Sequence, residues 1–164
     1  MNGLFVGRFQ PFHLGHLDAI QFALSKVDNL WIVVGSSNKE NEEKNPFSAD
    51  ERKEMVLSSL DDSMIQKIKI YNIPDFDDHK KWADDIDSVV PKFDVVFSND
   101  EITKHIYEKK GTKVIQVPYT NRDELTGTNI RNRMKNDQKW EHLVPAGAKK
   151  VLDKIDVRNR LKIL

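Results

Sequence analysis

The run Leu30-Trp31-Ile32-Val33-Val34 is apolar at every position, so it does not suit a strand with one wet face. A continuous run of this length, followed at once by Gly35-Ser36, reads as a strand buried on both sides. Similar short runs recur at Leu4-Phe5-Val6, Ile68-Lys69-Ile70-Tyr71, Asp94-Val95-Val96-Phe97 and Val114-Ile115-Gln116-Val117. Between them the apolar period lengthens to that of a helix. Leu17, Ile20, Leu24 and Val27 share one face, and Met55, Val56 and Leu60 follow a capping-box pattern at Ser48-Ala49-Asp50-Glu51. Trp82, Ile86, Val89 and Val90 form a third stripe that Pro91 stops, and a further helix is expected around Ile102–Tyr107. From about Gly127 the chain reads as helical to its end. Strand–helix alternation repeated five times predicts an open parallel sheet with helices on both faces and right-handed crossovers.

This is an α/β reading of the Rossmann-like kind, with one domain over residues 1–164. Residues 1–126 are expected to form the α/β core and residues 127–164 a helical C-terminal part. A chain of 164 residues buries about 70% of its unfolded surface, enough for one core. Ligands of such sheets bind beyond the carboxyl ends of the strands, where the strand order reverses. Functional residues are therefore expected just after strands.

Charge and composition narrow the function classes. Lys and Arg number 26 and so do Asp and Glu, which argues against a general binder of nucleic acid or anionic membranes. The charge is uneven: residues 40–101 carry 17 acidic and 8 basic side chains, and residues 131–164 carry 10 basic and 4 acidic. The basic tail reads as a solvated helix face, with polyphosphate or RNA as the alternative partner. There is no cysteine, so disulfides, thiolate catalysis and cysteine metal sites are excluded. The N-terminal residues lack the apolar core of a signal peptide, and no apolar run approaches the ~20 residues of a membrane span. A cytoplasmic protein is expected.

The chemistry concentrates after the first strand, in Gly7-Arg8-Phe9-Gln10-Pro11-Phe12-His13-Leu14-Gly15-His16. His13 and His16 lie where a strand turns into a helix, whose first N–H groups and partial positive charge suit a phosphate. Gly15 removes a side chain where an anion would approach the backbone, and Arg8 adds a fixed planar charge. No third metal ligand stands nearby, so a metal site is the weaker reading. A second string, Gly127-Thr128-Asn129-Ile130-Arg131, opens the late helix and offers Thr128, backbone donors and Arg131 to another phosphate. No Gly-x-x-x-x-Gly-Lys-Ser/Thr loop occurs, and His105 and His142 stand alone.

The first string resembles the HxGH signature of the nucleotidyltransferase superfamily, and its Gly-Arg-Phe-Gln-Pro prefix is similar to archaeal-type nicotinamide-mononucleotide (NMN) adenylyltransferases. The second resembles that family's Ser/Thr-x-x-Arg motif. Gly35-Ser36 is similar to the Gly-Ser turn beside the nucleotide, and Asn45-Pro46-Phe47-Ser48-Ala49-Asp50-Glu51-Arg52 to an Asp/Asn-Pro-Phe-Thr/Ser-Ala-x-Glu-Arg stretch. Lys44 stands where relatives often have arginine. Glu51 and Arg52 read equally as a helix-capping pair and a surface ion pair. Before Trp82 the chain has Asp78-His79-Lys80-Lys81, where relatives tend to have asparagine and an apolar residue.

The resemblance implies synthesis of NAD and pyrophosphate from ATP and NMN. The mononucleotide phosphate would attack the α-phosphate of ATP in line, with Mg²⁺ carried by the nucleotide. It implies His13, His16 and Arg131 as catalytic residues, and Gly7, Arg8, Phe9, His13, Gly15, His16, Gly127, Thr128 and Arg131 as the ATP site. Arg8, Gly35, Ser36, Lys44 and Trp82 are implied for NMN, with Trp82 stacked on the pyridine ring. The alternatives are another acceptor (nicotinic acid mononucleotide, FMN or phosphopantetheine) and a non-catalytic module that senses ATP or NAD. Relatives of this kind commonly form homo-oligomers, and Leu161, Ile163 and Leu164 suit burial against a neighbour or against their own domain.

Overall fold

The computed structural model describes residues 1–75 and 78–164. Five strands run in chain order as β1 (Asn2–Gly7), β2 (Asn29–Val34), β3 (Ile68–Asn72), β4 (Val95–Phe97) and β5 (Lys113–Ile115). They form one wholly parallel sheet of order β3-β2-β1-β4-β5. The helices are α1 (Leu14–Leu24), α2 (Ala49–Ser58), α3 (Asp62–Ile65), α4 (His79–Val89), α5 (Glu101–Lys109), α6 (Gly127–Lys135), α7 (Ala146–Lys154) and α8 (Val157–Ile163). The continuous apolar run behaves as its composition requires. In β2, Leu30, Ile32 and Val34 point into one core cluster, whereas Trp31 and Val33 point into the other. In β1, Leu4 and Phe5 divide the same way. Helices α1, α2, α6, α7 and α8 cover the first face, and α4 and α5 cover the second. Each fully buried Leu, Ile or Phe on these faces contributes about 1.5–3 kcal/mol of hydrophobic stabilisation.

Two expectations need correction, and the helical C-terminal part, found as expected, gains internal breaks. The fifth strand stops at Ile115 rather than Val117 because β4 offers no ladder partner beyond Phe97. The Asn99 carboxamide takes over instead, accepting from the Val117 N–H at 2.9 Å and donating to its carbonyl at 2.9 Å. Val89 does not join the buried stripe: it is 48% exposed at the last turn of α4, and Ala83, Ile86 and Val90 fill that face. The C-terminal part is not one continuous helix. Asp137 and Asp156 adopt positive φ (54° and 52°), a conformation no helix propagates, and Pro145 starts α7. The four-residue α3 had no separate signal in the apolar pattern.

The tail folds back onto its own domain. Leu161 is buried and Leu164 packs on the same cluster, whereas Ile163 is 84% exposed. Its basic residues find acidic partners: Lys154 meets Glu54, Arg158 and Lys162 meet Asp137, and Arg160 meets Glu51. Among the described residues, no helix is long and apolar enough to cross a membrane. The helices α2 and α7 approach so closely that a Cβ on Gly147 would overlap the Ser58 carbonyl. Backbone cannot yield there as a flexible side chain would. Gly147→Ala is therefore expected to destabilise the fold by about 1–3 kcal/mol, read as a drop of several degrees in the thermal midpoint.

Candidate functional site

Strand order reverses at β1, and the carboxyl ends of β1, β2 and β4 open there onto a cavity of about 500 Å³. Val6, Gly7 and Arg8 line it from β1, Gly35 and Ser36 from β2, and Ser98 and Asp100 from β4. The α4 helix adds His79 and Trp82, one turn apart, and Ile102 and Thr103 come from α5. Trp82 is half-buried, with part of its surface packed on the second core cluster and part facing the cavity. It is both core and wall.

A second cavity, of about 410 Å³, is lined by Arg8, Glu43, Lys44, Thr128, Arg131, Asn132 and Lys135, with Leu161 and Leu164. Among the described residues, Arg8 alone lines both. The structure thus divides the expected site residues into two groups. Gly7, Gly35, Ser36 and Trp82 line the first cavity, and Thr128 and Arg131 the second. Lys44, expected with the mononucleotide group, lines the cavity of Thr128 and Arg131 instead. Phe9, His13, Gly15, His16 and Gly127 line neither; Phe9 is buried, and its ring meets His16 edge-on at 4.9 Å.

The two histidines cap α1 reciprocally. His13 is the residue before the helix, and its Nδ1 accepts from the Gly15 N–H at 3.1 Å. His16 Nδ1 accepts in turn from the His13 N–H at 3.1 Å. With both Nδ1 atoms accepting, the neutral rings carry their protons on Nε2, where they can donate. The rings stack with centroids 3.7 Å apart, and Phe12 stacks on the outer face of His16. Burial pushes His13 down to about 4. Burial first, and the neighbouring His13 second, push His16 well below the usual imidazole range. The pair is therefore neutral at physiological pH: two oriented dipoles rather than two cations.

Two glycines of the motifs make room for these contacts. A Cβ on Gly15 would sit 2.9 Å from His13 Cε1, and one on Gly127 would sit 2.7 Å from Arg131 Nη1. Thr126 caps α6, with its hydroxyl accepting from the Asn129 N–H. Arg131, on the first turns of α6, donates to the Gln10 carbonyl at 2.7 Å. Burial lowers the Arg131 pKa, the nearby Arg8 lowers it further, and Glu43 opposes both. Gln10 itself is buried and bonded twice to Phe47, through its amide at 3.1 Å and its carbonyl oxygen at 3.0 Å. These contacts hold the loop after β1 against the segment before α2.

Arg52 contradicts the expectation of a surface ion pair: it is 0% exposed. Its Nε donates to the Ser48 carbonyl at 3.1 Å, Nη1 to Arg8 and Gly35 at 3.0 and 2.7 Å, and Nη2 to Ser36 and Lys39 at 3.1 and 3.4 Å. All five N–H groups of the guanidinium find carbonyl oxygens. Burial pulls its pKa down to about 10, against the opposing charges of Glu40, Asp75 and Glu51, so it stays charged at neutral pH. The capping half of the expectation holds, because Glu51 completes the capping box of Ser48 and pairs with Arg160 through two bonds of 2.6 and 2.9 Å. Sequence reasoning also passed over Lys39 and Asp75. Ser36 adopts φ 51°, and its hydroxyl donates to Asp75 at 2.8 Å, while Lys39 stands 3.6 Å from the same carboxylate. A helix-start Arg and a loop Lys give no periodic signal, so only the fold reveals them. Among the described residues, no group of three or more His, Asp or Glu side chains is placed to hold a metal by itself.

Two outcomes follow from these buried titratable groups. The folded chain binds fewer protons at His13 and His16 than the unfolded chain. Their contribution is thus fully present above the unfolded pKa of about 6.5 and is lost as pH falls towards about 4. His13→Asn keeps a capping oxygen and removes one titration, so urea unfolding should show a shallower loss of stability than wild type between those values. For Arg52, lysine supplies at most three donors to five carbonyls. Both Arg52→Lys and Arg52→Met should lower unfolding free energy by about 3 kcal/mol or more, methionine the more severely.

A sequence profile described as cytidylyltransferase-like matches residues 4–133. Curated relatives named nicotinamide-nucleotide adenylyltransferase match nearly end to end. The protein of Thermococcus sibiricus is 39% identical over 166 residues, spanning 100% of this chain and 89% of its own length. That of Methanolobus tindarius is 41% identical, spanning 98% and 92%. Among solved structures, a bifunctional NMN adenylyltransferase/ADP-ribose pyrophosphatase of Francisella tularensis, complexed with AMP and a manganese ion, superposes with a TM-score of 0.82. It is 24% identical and covers 98% of this chain and 51% of that one. That likeness supports the fold, and the curated relatives place the sequence within it. With its HxGH turn, its Thr-x-x-Arg helix and this end-to-end match, the chain belongs to the cytidylyltransferase-like family, among the archaeal nicotinamide-nucleotide adenylyltransferases.

Proposed function

We propose that this chain joins ATP and NMN to give NAD and pyrophosphate, with the first cavity holding the mononucleotide and the second the β- and γ-phosphates of ATP. The observation that carries this assignment is the placement of Arg8 in the lining of both cavities, beside the histidine-capped start of α1. An adenylyl transfer has the same topology: two phosphate groups meet, one from each side. The curated relatives, whose names give this activity, support it.

In this reading Trp82 stacks on the cationic pyridine ring, worth about 1–2 kcal/mol, with Gly35 and Ser36 along the ribose phosphate. A 5′-phosphate oxygen of the mononucleotide attacks the α-phosphorus in line. The new P–O bond forms as the bond to the β-phosphate bridging oxygen breaks, and the electron pair leaves with pyrophosphate. His13 and His16 donate from Nε2 to the α-phosphate, where negative charge grows. Arg131, Thr128, Lys44 and Lys135 receive the charge that moves onto the leaving group, and Arg8 spans both. Alignment and fixed donors supply most of the acceleration in such transfers.

A divalent cation, proposed as Mg²⁺, enters as the complex of ATP and neutralises its phosphates. The cationic lining of the second cavity suits the phosphates rather than the metal. Assembly into homo-oligomers in the cytoplasm belongs to the same proposal, and Ile163 is the exposed apolar side chain at the C-terminus.

Pyrophosphate release should appear with ATP, Mg²⁺ and NMN, and not with FMN or phosphopantetheine; nicotinic acid mononucleotide belongs in the same panel. Release with FMN or phosphopantetheine alone would overturn the acceptor. No release with any acceptor, alongside calorimetric nucleotide binding, would make the chain a sensor. Trp82→Ala should raise KM for the mononucleotide by about five- to thirty-fold and leave KM for ATP unchanged. His16→Asn retains an acceptor for the His13 N–H and should lower kcat by about 10²–10³ with little change in ATP affinity.

A further inference from the structure

The second cavity carries one group that polyphosphate binding does not call for. Four cationic side chains line it, Arg8, Lys44, Arg131 and Lys135, and Glu43 is the only acidic side chain among the described residues that do so. Its position is set by a closed turn over Glu42-Glu43-Lys44-Asn45. The Glu42 N–H donates to the Asn45 carbonyl at 3.2 Å, and the Asn45 N–H donates back to the Glu42 carbonyl at 3.1 Å. The Asn45 amide also donates to the Glu42 carboxylate at 3.3 Å.

The base of this turn is anchored. Asn45, Pro46 and Phe47 are buried, Gln10 holds Phe47 at both backbone atoms, and Arg160 donates to the Pro46 carbonyl at 3.3 Å. A turn fixed in this way carries its two middle residues at the tip. That tip, Glu43 with Lys44, lines the same cavity as Thr128 and Arg131. Its charge favours the charged Arg131 guanidinium, against the repulsion from Arg8.

We propose that Glu43 is a resident counter-ion of the polyphosphate cavity, competing with pyrophosphate for Arg131 and Arg8 and so loosening the product. The inference rests on the assignment of this cavity to the β- and γ-phosphates. Its logic is differential. ATP has an adenosine to hold it in addition to its phosphates, whereas pyrophosphate has only the cations. A fixed negative charge at the tip weakens both, but the substrate keeps other contacts and the product does not. Four uncompensated cations around a small polyanion would make product release slow.

The test is calorimetric titration of inorganic pyrophosphate into the full-length wild type, Glu43→Gln and Glu40→Gln, at low and high salt, with and without Mg²⁺. Glu40 is exposed on the same loop and does not line the cavity, so its variant makes the same charge change elsewhere. Glu43→Gln should bind pyrophosphate about two- to five-fold more tightly at low salt. The gap should close as salt rises, because exposed charges are screened over ~10 Å at 0.1 M. Inhibition of the forward reaction by pyrophosphate should strengthen by the same factor, and Glu40→Gln should match wild type.

Unchanged or weaker binding in Glu43→Gln overturns the proposal, and so does equal tightening in Glu40→Gln. Weaker binding confined to Mg²⁺ would make Glu43 a holder of the metal complex instead of a competitor, and overturns it too. Wild type that neither binds nor releases pyrophosphate sinks the cavity's assignment. Wild type that does both, with no effect of Glu43, sinks only the counter-ion.

Discussion

Arg52 is the contact on which the rest of the site depends. Its guanidinium is buried and its five N–H groups reach carbonyls of Arg8, Gly35, Ser36, Lys39 and Ser48. Three of these residues lie in the loop after β2, one follows β1, and one caps α2. Loop backbone at the edge of a parallel sheet has carbonyls that no ladder satisfies, and each would cost about 1–3 kcal/mol if buried without a partner. A planar group with donors in a fixed fork satisfies several together and sets their spacing. Arg8, Gly35, Ser36 and Lys39 are also walls of the first cavity. The shape of that cavity is therefore determined from behind, by a side chain that no ligand in it would touch.

Gln10 plays a corresponding part for the loop after β1. Its side chain holds Phe47, and its carbonyl receives Arg131 across 121 positions of sequence. The loop after β1, the segment before α2 and the start of α6 are thereby tied at one point. The HxGH turn and the Thr-x-x-Arg helix come together through this backbone oxygen, with Gly127 leaving the space for it. Ser48, Glu51 and Arg160 bring the tail into the same arrangement, since α8 docks on the capping box of α2.

Periodicity was enough to read the sheet, because β2 is apolar from Leu30 to Val34 and the helical stripes around it have the spacing of amphipathic helices. It was less informative wherever a side chain replaced backbone pairing. The end of β5 is decided by Asn99, and the breaks in the C-terminal part by two aspartates at positive φ, neither of which alters an apolar pattern. The site divides in a similar way. Gly7, Arg8, His13, His16, Thr128 and Arg131 announce themselves as a strand-to-helix turn and a helix start. Arg52 does not: next to Glu51, in a polar stretch, it has the sequence signature of a surface ion pair. A buried charge is legible only when its acceptors are known, and here they are backbone carbonyls, which every sequence contains. Lys44 was legible as a cation near the site but not as to which cavity it lines, because that depends on which side of Arg8 the turn falls.

The electrostatics of the site separate two roles that a basic cluster would merge. Arginine and lysine supply charge to the lining of both cavities. The stacked imidazoles supply direction. Burial keeps both neutral, with His13 adding to the effect at His16, while the N–H groups of Gly15 and of the capping His13 occupy the two Nδ1 atoms and leave Nε2 to donate. Two imidazolium ions with centroids 3.7 Å apart would repel each other and pull the turn open. Two neutral rings cost nothing of the kind and can wait in position. In the proposed reaction a phosphate entering beside them would meet donors already oriented, so no reorganisation would be needed as its charge grows, which is the condition under which fixed dipoles stabilise a transition state most effectively.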